Sequence, residues 1–69
     1  MDTKRIGLRV RAFRKLKGYT QQELADYVGI SLAVLGAVER GNRHLEGKIL
    51  NKIADVLEIS AAELTDISE

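Results

Sequence analysis

Two short helical segments separated by a glycine turn constrain the fold of this chain more than any other feature. Thr20 and Glu23 form a capping-box pattern, in which the hydroxyl and the carboxylate satisfy free amides at a helix start. That helix begins at Gln21 and ends at Gly29, since glycine readily adopts the left-handed conformation that turns the chain. Ser31 then caps a helix running to about residue 40. A three-residue turn of this kind lets two short helices cross steeply and share a core.

Apolar spacing predicts three further helices. The first covers about residues 3–17, where apolar residues recur at three- and four-residue steps on one side: Ile6, Val10, Phe13 and Leu16. Another covers about residues 46–57, although Gly47 weakens its start. A short terminal helix opens at a second capping box, Ser60 to Glu63. The sequence therefore predicts an all-α bundle of five helices.

Composition limits the chain to one modest core. It has 69 residues, of which 45% are hydrophobic, so we expect residues 1–69 to form a single domain. There is no Cys, which excludes disulfides and fits a reducing cytosol. No stretch approaches the roughly 20 apolar residues of a membrane span, and the amino end shows no signal-peptide pattern. These features predict a cytoplasmic protein.

The net charge of +1 conceals a strong segregation of charge. Residues 1–18 carry seven basic residues and one acidic residue, whereas residues 53–69 carry five acidic residues and no basic one. Such a chain could present a basic face to phosphates while its acidic end points away from them. A solvated helix surface explains the same pattern equally well, so charge alone assigns no partner.

Five runs of residues together resemble the Cro/XRE family, whose domain is lambda repressor-like. They lie at positions 11–15, 18–25, 29–31, 39–43 and 52–57. The Thr-Gln-Gln-Glu-Leu-Ala run at 20–25 and the Glu-Arg-Gly-Asn-Arg run at 39–43 are specific in combination. The resemblance implies a five-helix DNA-binding domain whose helix-turn-helix motif, at about 20–40, places helix three in the major groove. It implies a bacterial or phage-encoded transcriptional regulator that binds specific sequences of double-stranded DNA.

The resemblance also assigns roles outside the reading helix. Gln21 matches a family Gln that contacts a phosphate at the amino end of helix two. Asn42 and Arg43 lie in the loop after helix three, a second point of contact with the DNA backbone. Arg14 and Glu39 match an internal ion pair between helices one and three. We therefore interpret Glu39 as structural and not as an acid or base.

The predicted base-reading surface is small and mostly apolar. A helical projection with Leu35 and Val38 inward turns Gly36 outward, and the predicted major-groove set is Gln22, Ser31, Leu32, Ala33, Ala37 and Arg40. Two accounts remain open. In the first, small residues approach closely and pack on thymine methyl groups, with DNA shape adding discrimination. In the second, groove reading has decayed and this face meets a protein. The backbone-contact residues favour the first account.

A homodimer is expected, because one small module makes too few contacts for tight specific binding. By resemblance, its surface is helix five with the preceding loop, and the predicted interface residues are Glu58, Ile59, Leu64 and Ile67. Each subunit would then place helix three in one half-site about 34 Å from the next.

Other chemistry is poorly represented in the sequence. His44 is the only His, there is no Cys, and no carboxylate pair is spaced for metal or acid–base chemistry. We therefore predict no enzymatic activity, no metal and no small-molecule cofactor, and interpret His44 as a loop residue. Leu8 lies opposite the main apolar arc of the first helix. A scattered exposed Leu is normal on a protein surface, and a contact with a partner is the less favoured alternative.

Overall fold

Residues 3–65, which the computed structural model describes, form five helices and no strand. The helices are α1 (Thr3–Leu16), α2 (Gln21–Val28), α3 (Leu32–Glu39), α4 (Gly47–Leu57) and α5 (Ala61–Thr65). The all-α, five-helix fold expected from the sequence is confirmed, and the helix ends agree with the predicted ones within one residue where both are defined. No helix in this range is long and apolar enough to cross a membrane.

Local capping defines the pair of helices at the centre of the chain. Thr20 Oγ1 accepts a hydrogen bond from the Glu23 amide at 3.0 Å, and the Thr20 amide donates to Glu23 Oε1 at 2.9 Å. Gly29 ends α2 with φ at 88°, in the left-handed region. Ser31 Oγ accepts from the Val34 amide at 3.1 Å and so starts α3. Local residues therefore define both ends of α2 and the start of α3.

The core lies where all five helices meet. Its fully buried large side chains come from every helix: Val10, Leu24, Leu35, Val38, Ile53, Leu57 and Leu64. Helix α1 packs against α3, α4 and α5, while α2 packs against α3 and α4. The prediction that Leu16 belongs to the buried side of the first helix is wrong, because its side chain is 75% exposed. Leu16 stands six residues after Val10, about 120° around the helix and beyond the buried arc.

Helix α1 lies unusually close to the end of α3. A Cβ atom on Gly7 would stand 2.1 Å from the Val38 carbonyl oxygen and 3.1 Å from that of Glu39. A Cβ atom on Gly41, just after α3, would stand 2.8 Å from the Cα atom of Lys4, which lies one turn before Gly7 in α1. Only glycine fits at these two points, so the backbones of α1 and of the end of α3 can nearly touch.

We expect Gly7→Ala to lower the free energy of unfolding by about 1–3 kcal/mol, because the added methyl group overpacks the contact with α3. This loss should appear despite the higher helix propensity of alanine. Gly47→Ala is the matched control, since a Cβ there meets nothing within 4 Å. It should raise stability by up to about 1 kcal/mol. Urea unfolding followed by circular dichroism measures both, and equal stability of the two variants would contradict the close approach.

Candidate nucleic-acid interface

A buried ion pair joins α1 to the last residue of α3. Arg14 Nε donates to Glu39 Oε2 at 2.6 Å, and Arg14 Nη2 donates to Glu39 Oε1 at 3.1 Å. Both residues are buried, with exposures of 8% and 5%. Arg14 Nη1 also donates to the Tyr19 carbonyl oxygen at 2.9 Å. The pair expected from the family resemblance is therefore present, and it also holds the turn that leads into α2.

Gln21 is hydrogen-bonded to the same carboxylate. Its Nε2 donates to Glu39 Oε1 at 3.0 Å, and the side chain is half-buried at the first residue of α2. A glutamine amide has two N–H donors and a carbonyl acceptor, so this bond orients the group without using all its capacity. We name the three residues Arg14, Glu39 and Gln21 the carboxylate network.

Most residues that the helical projection places on the outer face of α3 are accessible in the structure. Ser31 and Ala33 are exposed, Leu32 is 43% exposed and Ala37 is half-buried. Ser31 also caps the helix, so its oxygen already accepts one hydrogen bond. These residues form a shallow surface with little capacity for hydrogen bonding.

Gly36 faces outward as the projection gives, but a side chain covers it, so it is buried and not open to a partner. A Cβ atom on Gly36 would lie 3.1 Å from Arg40 Nη1. Residues four apart on a helix share one face, so the exposed Arg40 side chain folds back over Gly36. The guanidinium thus lies along the face of α3 and does not extend straight from its end.

The other predicted DNA contacts are exposed. Gln22 Nε2 donates to Asp26 Oδ1 at 2.9 Å, one turn along the outer side of α2. Asn42 and Arg43 lie in the loop that leads to α4, and the Asn42 amide donates to the Ala37 carbonyl oxygen at 2.9 Å. The start of this loop is therefore tied to α3, while both side chains remain accessible.

Sequence reasoning missed a groove beside this loop. It has a volume of 380 Å³ and is open to solvent. Its walls come from the α2–α3 turn with α3 and from the loop with α4; they are Ile30, Ser31, Val34, Arg43, His44, Leu45, Glu46 and Ile49. The two walls are distant in sequence, so no local pattern could have revealed it.

The predicted dimer surface is only partly available. Glu58 is exposed and can reach a partner, whereas Ile59 is half-buried and packs partly against the core. Leu64 is 0% exposed, and its assignment to a dimer contact is wrong. Helix α5 has only five residues and uses Leu64 to anchor itself in the core. Ile67 lies outside the described residues. Arg9 Nη1 donates to the Glu63 carbonyl oxygen at 2.8 Å and fastens α5 to α1.

The sequence is similar to known regulators over most of its length. Residues 10–64 match the helix-turn-helix family. The chain is 55% identical over 64 residues to YazB of Bacillus subtilis, an uncharacterized HTH-type transcriptional regulator, and the match covers 93% of each protein. It is 36% identical to the HTH-type transcriptional regulator SinR of the same organism, where the match covers 88% of this chain but only 56% of SinR.

Solved structures show the same arrangement of helices. The clp gene regulator ClgR from Corynebacterium glutamicum matches with a TM-score of 0.91 and 29% identity, covering 96% of this chain and 70% of the ClgR chain. SinR, solved in complex with DNA, matches with a TM-score of 0.84 and 35% identity, covering 88% of this chain and 98% of that one. The fold is therefore shared with proteins described as regulators.

We expect Glu39→Ala to lower the free energy of unfolding by about 3–5 kcal/mol, because it leaves the Arg14 guanidinium buried without its carboxylate. Replacing both partners, as Arg14→Met with Glu39→Leu, should recover most of this loss. Glu46→Ala is the control, since Glu46 is exposed and makes no side-chain cap. Denaturant unfolding gives all three values. A Glu39→Ala variant as stable as Glu46→Ala would show that the network carries no stability.

Proposed function

Because the chain belongs to the Cro/XRE-type helix-turn-helix family, we propose that it is a transcriptional regulator that binds specific sequences of double-stranded DNA. The observation that carries the proposal is the position of the backbone-contact residues relative to α3. Gln21 is bonded to Glu39 at the end of α3, and Asn42 follows that end in the chain. Both backbone contacts thus border one exposed helix face. The relatives are named as transcriptional regulators, which supports binding without catalysis.

The carboxylate network prepares Gln21 to contact a phosphate. One N–H of its amide is held by Glu39, which leaves the second N–H and the first amides of α2 for an anion. A bare carboxylate at 3.0 Å from this amide would repel a phosphate. Arg14 compensates that charge through two hydrogen bonds. The buried pair therefore orients Gln21 while removing the repulsion that Glu39 would otherwise exert.

Base reading in this proposal depends on a close approach of α3 to the base edges. Leu32 and Ala33, with the half-buried Ala37, present methyl groups that suit the methyl groups of thymine in the major groove. Arg40 supplies guanidinium donors for a guanine edge or a phosphate. Asn42 and Arg43 contact the backbone and set the register without reading sequence.

The regulator we propose acts as a homodimer on a two-fold operator. Its surface includes Glu58 and Ile59, and the half-sites lie about 34 Å apart. One small domain buries too little surface for tight specific binding, which supports dimerisation.

A second candidate function is a protein-interaction module that keeps this fold with decayed base reading. The observation that favours it is the apolar outer face of α3, where Leu32 is 43% exposed and Arg40 lies back over Gly36. Such a surface could bind another regulator in place of DNA.

Titration of labelled genomic duplex fragments at several salt concentrations tests the proposal. We expect binding that weakens steeply with salt, because phosphate contacts release counterions, together with a preference for particular fragments. Ala37→Glu should abolish this preference without changing the helix content measured by circular dichroism. Absence of binding at low salt would contradict the regulator, and equally weak binding to every fragment would favour the second candidate.

Backbone contact by Arg43 gives a separate prediction. Arg43→Ala should weaken binding to all fragments alike and reduce the dependence of log affinity on log salt by about one. Lys52→Ala is the matched control, since it removes one exposed positive charge from α4, outside the proposed contacts. Fluorescence anisotropy measures both variants. A loss confined to the preferred fragment would instead assign Arg43 to base reading, and equal effects of the two variants would reduce its role to net charge.

A further inference from the structure

The outer face of α1 carries an apolar stripe that the proposed function does not use. Leu8 and Leu16 are 60% and 75% exposed, and Ala12 between them is also exposed. The three residues stand at four-residue intervals, so they follow one another along a single face of the helix. Two of the four large exposed apolar side chains in residues 3–65 therefore lie on one stripe.

Basic residues border this stripe on both sides. Every charged residue within Thr3–Leu16 is basic, and only Arg14 is buried. Arg11 and Lys15 are exposed along one side of the stripe. Arg9 lies on the other side, where its guanidinium also reaches the Glu63 carbonyl oxygen. The surface thus combines apolar side chains with positive charge, and α1 itself contributes no carboxylate to it.

The stripe faces away from α3. Gly7 marks the side of α1 that meets the α3 backbone. At about 100° per residue, Leu8 lies about 100° around the helix from Gly7, and Leu16 lies about 180° from it. The proposed DNA contacts on α3 therefore do not account for the stripe. Phosphate binding does not account for it either, because exposed leucines add nothing to a phosphate contact.

We propose that the outer face of α1 docks an acidic amphipathic helix of another protein. Leu8 and Leu16 are separated by about 12 Å along the axis, so two turns of a partner helix can pack against them. Ala12 leaves room between them for a larger apolar side chain of the partner. Carboxylates flanking the partner's apolar face would then meet Arg11 and Lys15, and this charge complementarity selects an acidic partner.

Two other occupants fit the surface less well. A lipid bilayer needs a broad apolar face, whereas this stripe is one residue wide and the opposite side of α1 is buried in the core. A second copy of the chain offers acidic charge at Asp55, Glu58 and Glu63. However, within residues 3–65 its α5 offers only five residues, and their large apolar residue, Leu64, is buried. An acidic helix from a different protein matches both the length and the charge of the stripe.

The test uses the full chain and a designed helical peptide of about four turns, with Leu on one face and Glu on both flanks. A scrambled peptide of the same composition is the control. We expect salt-sensitive binding by calorimetry, with amide chemical-shift changes on the outer residues of α1. The double variant Leu8→Gln with Leu16→Gln should weaken binding by about tenfold or more. Tyr27→Gln, which alters a 64% exposed side chain on α2, should leave affinity unchanged.

Several outcomes would overturn this proposal. They are equal binding of the scrambled peptide, shifts located away from α1, and unchanged affinity of the Leu8/Leu16 double variant. Loss of self-association or of binding to phosphatidylglycerol vesicles in that variant, without an effect on the peptide, would assign the stripe to a second copy or to a membrane. Duplex binding should be unchanged in the double variant. Its loss would assign the stripe to DNA and refute the docking proposal while leaving DNA binding itself supported.

Discussion

The buried carboxylate of Glu39 joins three helices, because it accepts hydrogen bonds from Arg14 of α1 and Gln21 of α2 at the end of α3. Burying it would cost several kcal/mol without a partner, and Arg14 supplies that partner from α1. The same guanidinium holds the Tyr19 carbonyl oxygen ahead of α2, and the same carboxylate holds Gln21 at the start of α2. Directional polar contacts thus set the angle between α2 and α3, which an aliphatic core alone would fix less sharply.

This network depends on a glycine elsewhere in α1. Gly7 and Arg14 are two turns apart on the same side of the helix, and both face the end of α3. Because Gly7 has no side chain, α1 approaches the Val38 and Glu39 carbonyl groups closely. That approach brings the Arg14 side chain within hydrogen-bonding distance of Glu39. The close helix contact and the buried ion pair are therefore two parts of one arrangement. Through it, the stability of the fold and the position of Gln21 depend on each other.

The parts of the structure that sequence could predict are the local ones. The capping box at Thr20 and the turn at Gly29 depend on residues within four positions of each other, so their hydrogen bonds follow from sequence. The pair Arg14–Glu39 spans 25 residues and could be expected only from the family resemblance. The prediction that Leu64 lies in the dimer interface is wrong for a related reason. Whether it meets the core or a partner depends on how α5 packs across α1 and α4, which periodicity does not reveal.

The lack of a side chain at Gly36 lets the Arg40 guanidinium lie along α3. A methyl group there would stand 3.1 Å from Arg40 Nη1, closer than an ordinary van der Waals contact. Any larger side chain at position 36 would displace the guanidinium from the face of the helix. If α3 reads base edges as we propose, a substitution at Gly36 would alter that reading without itself touching a base, because it would change the direction of the Arg40 side chain.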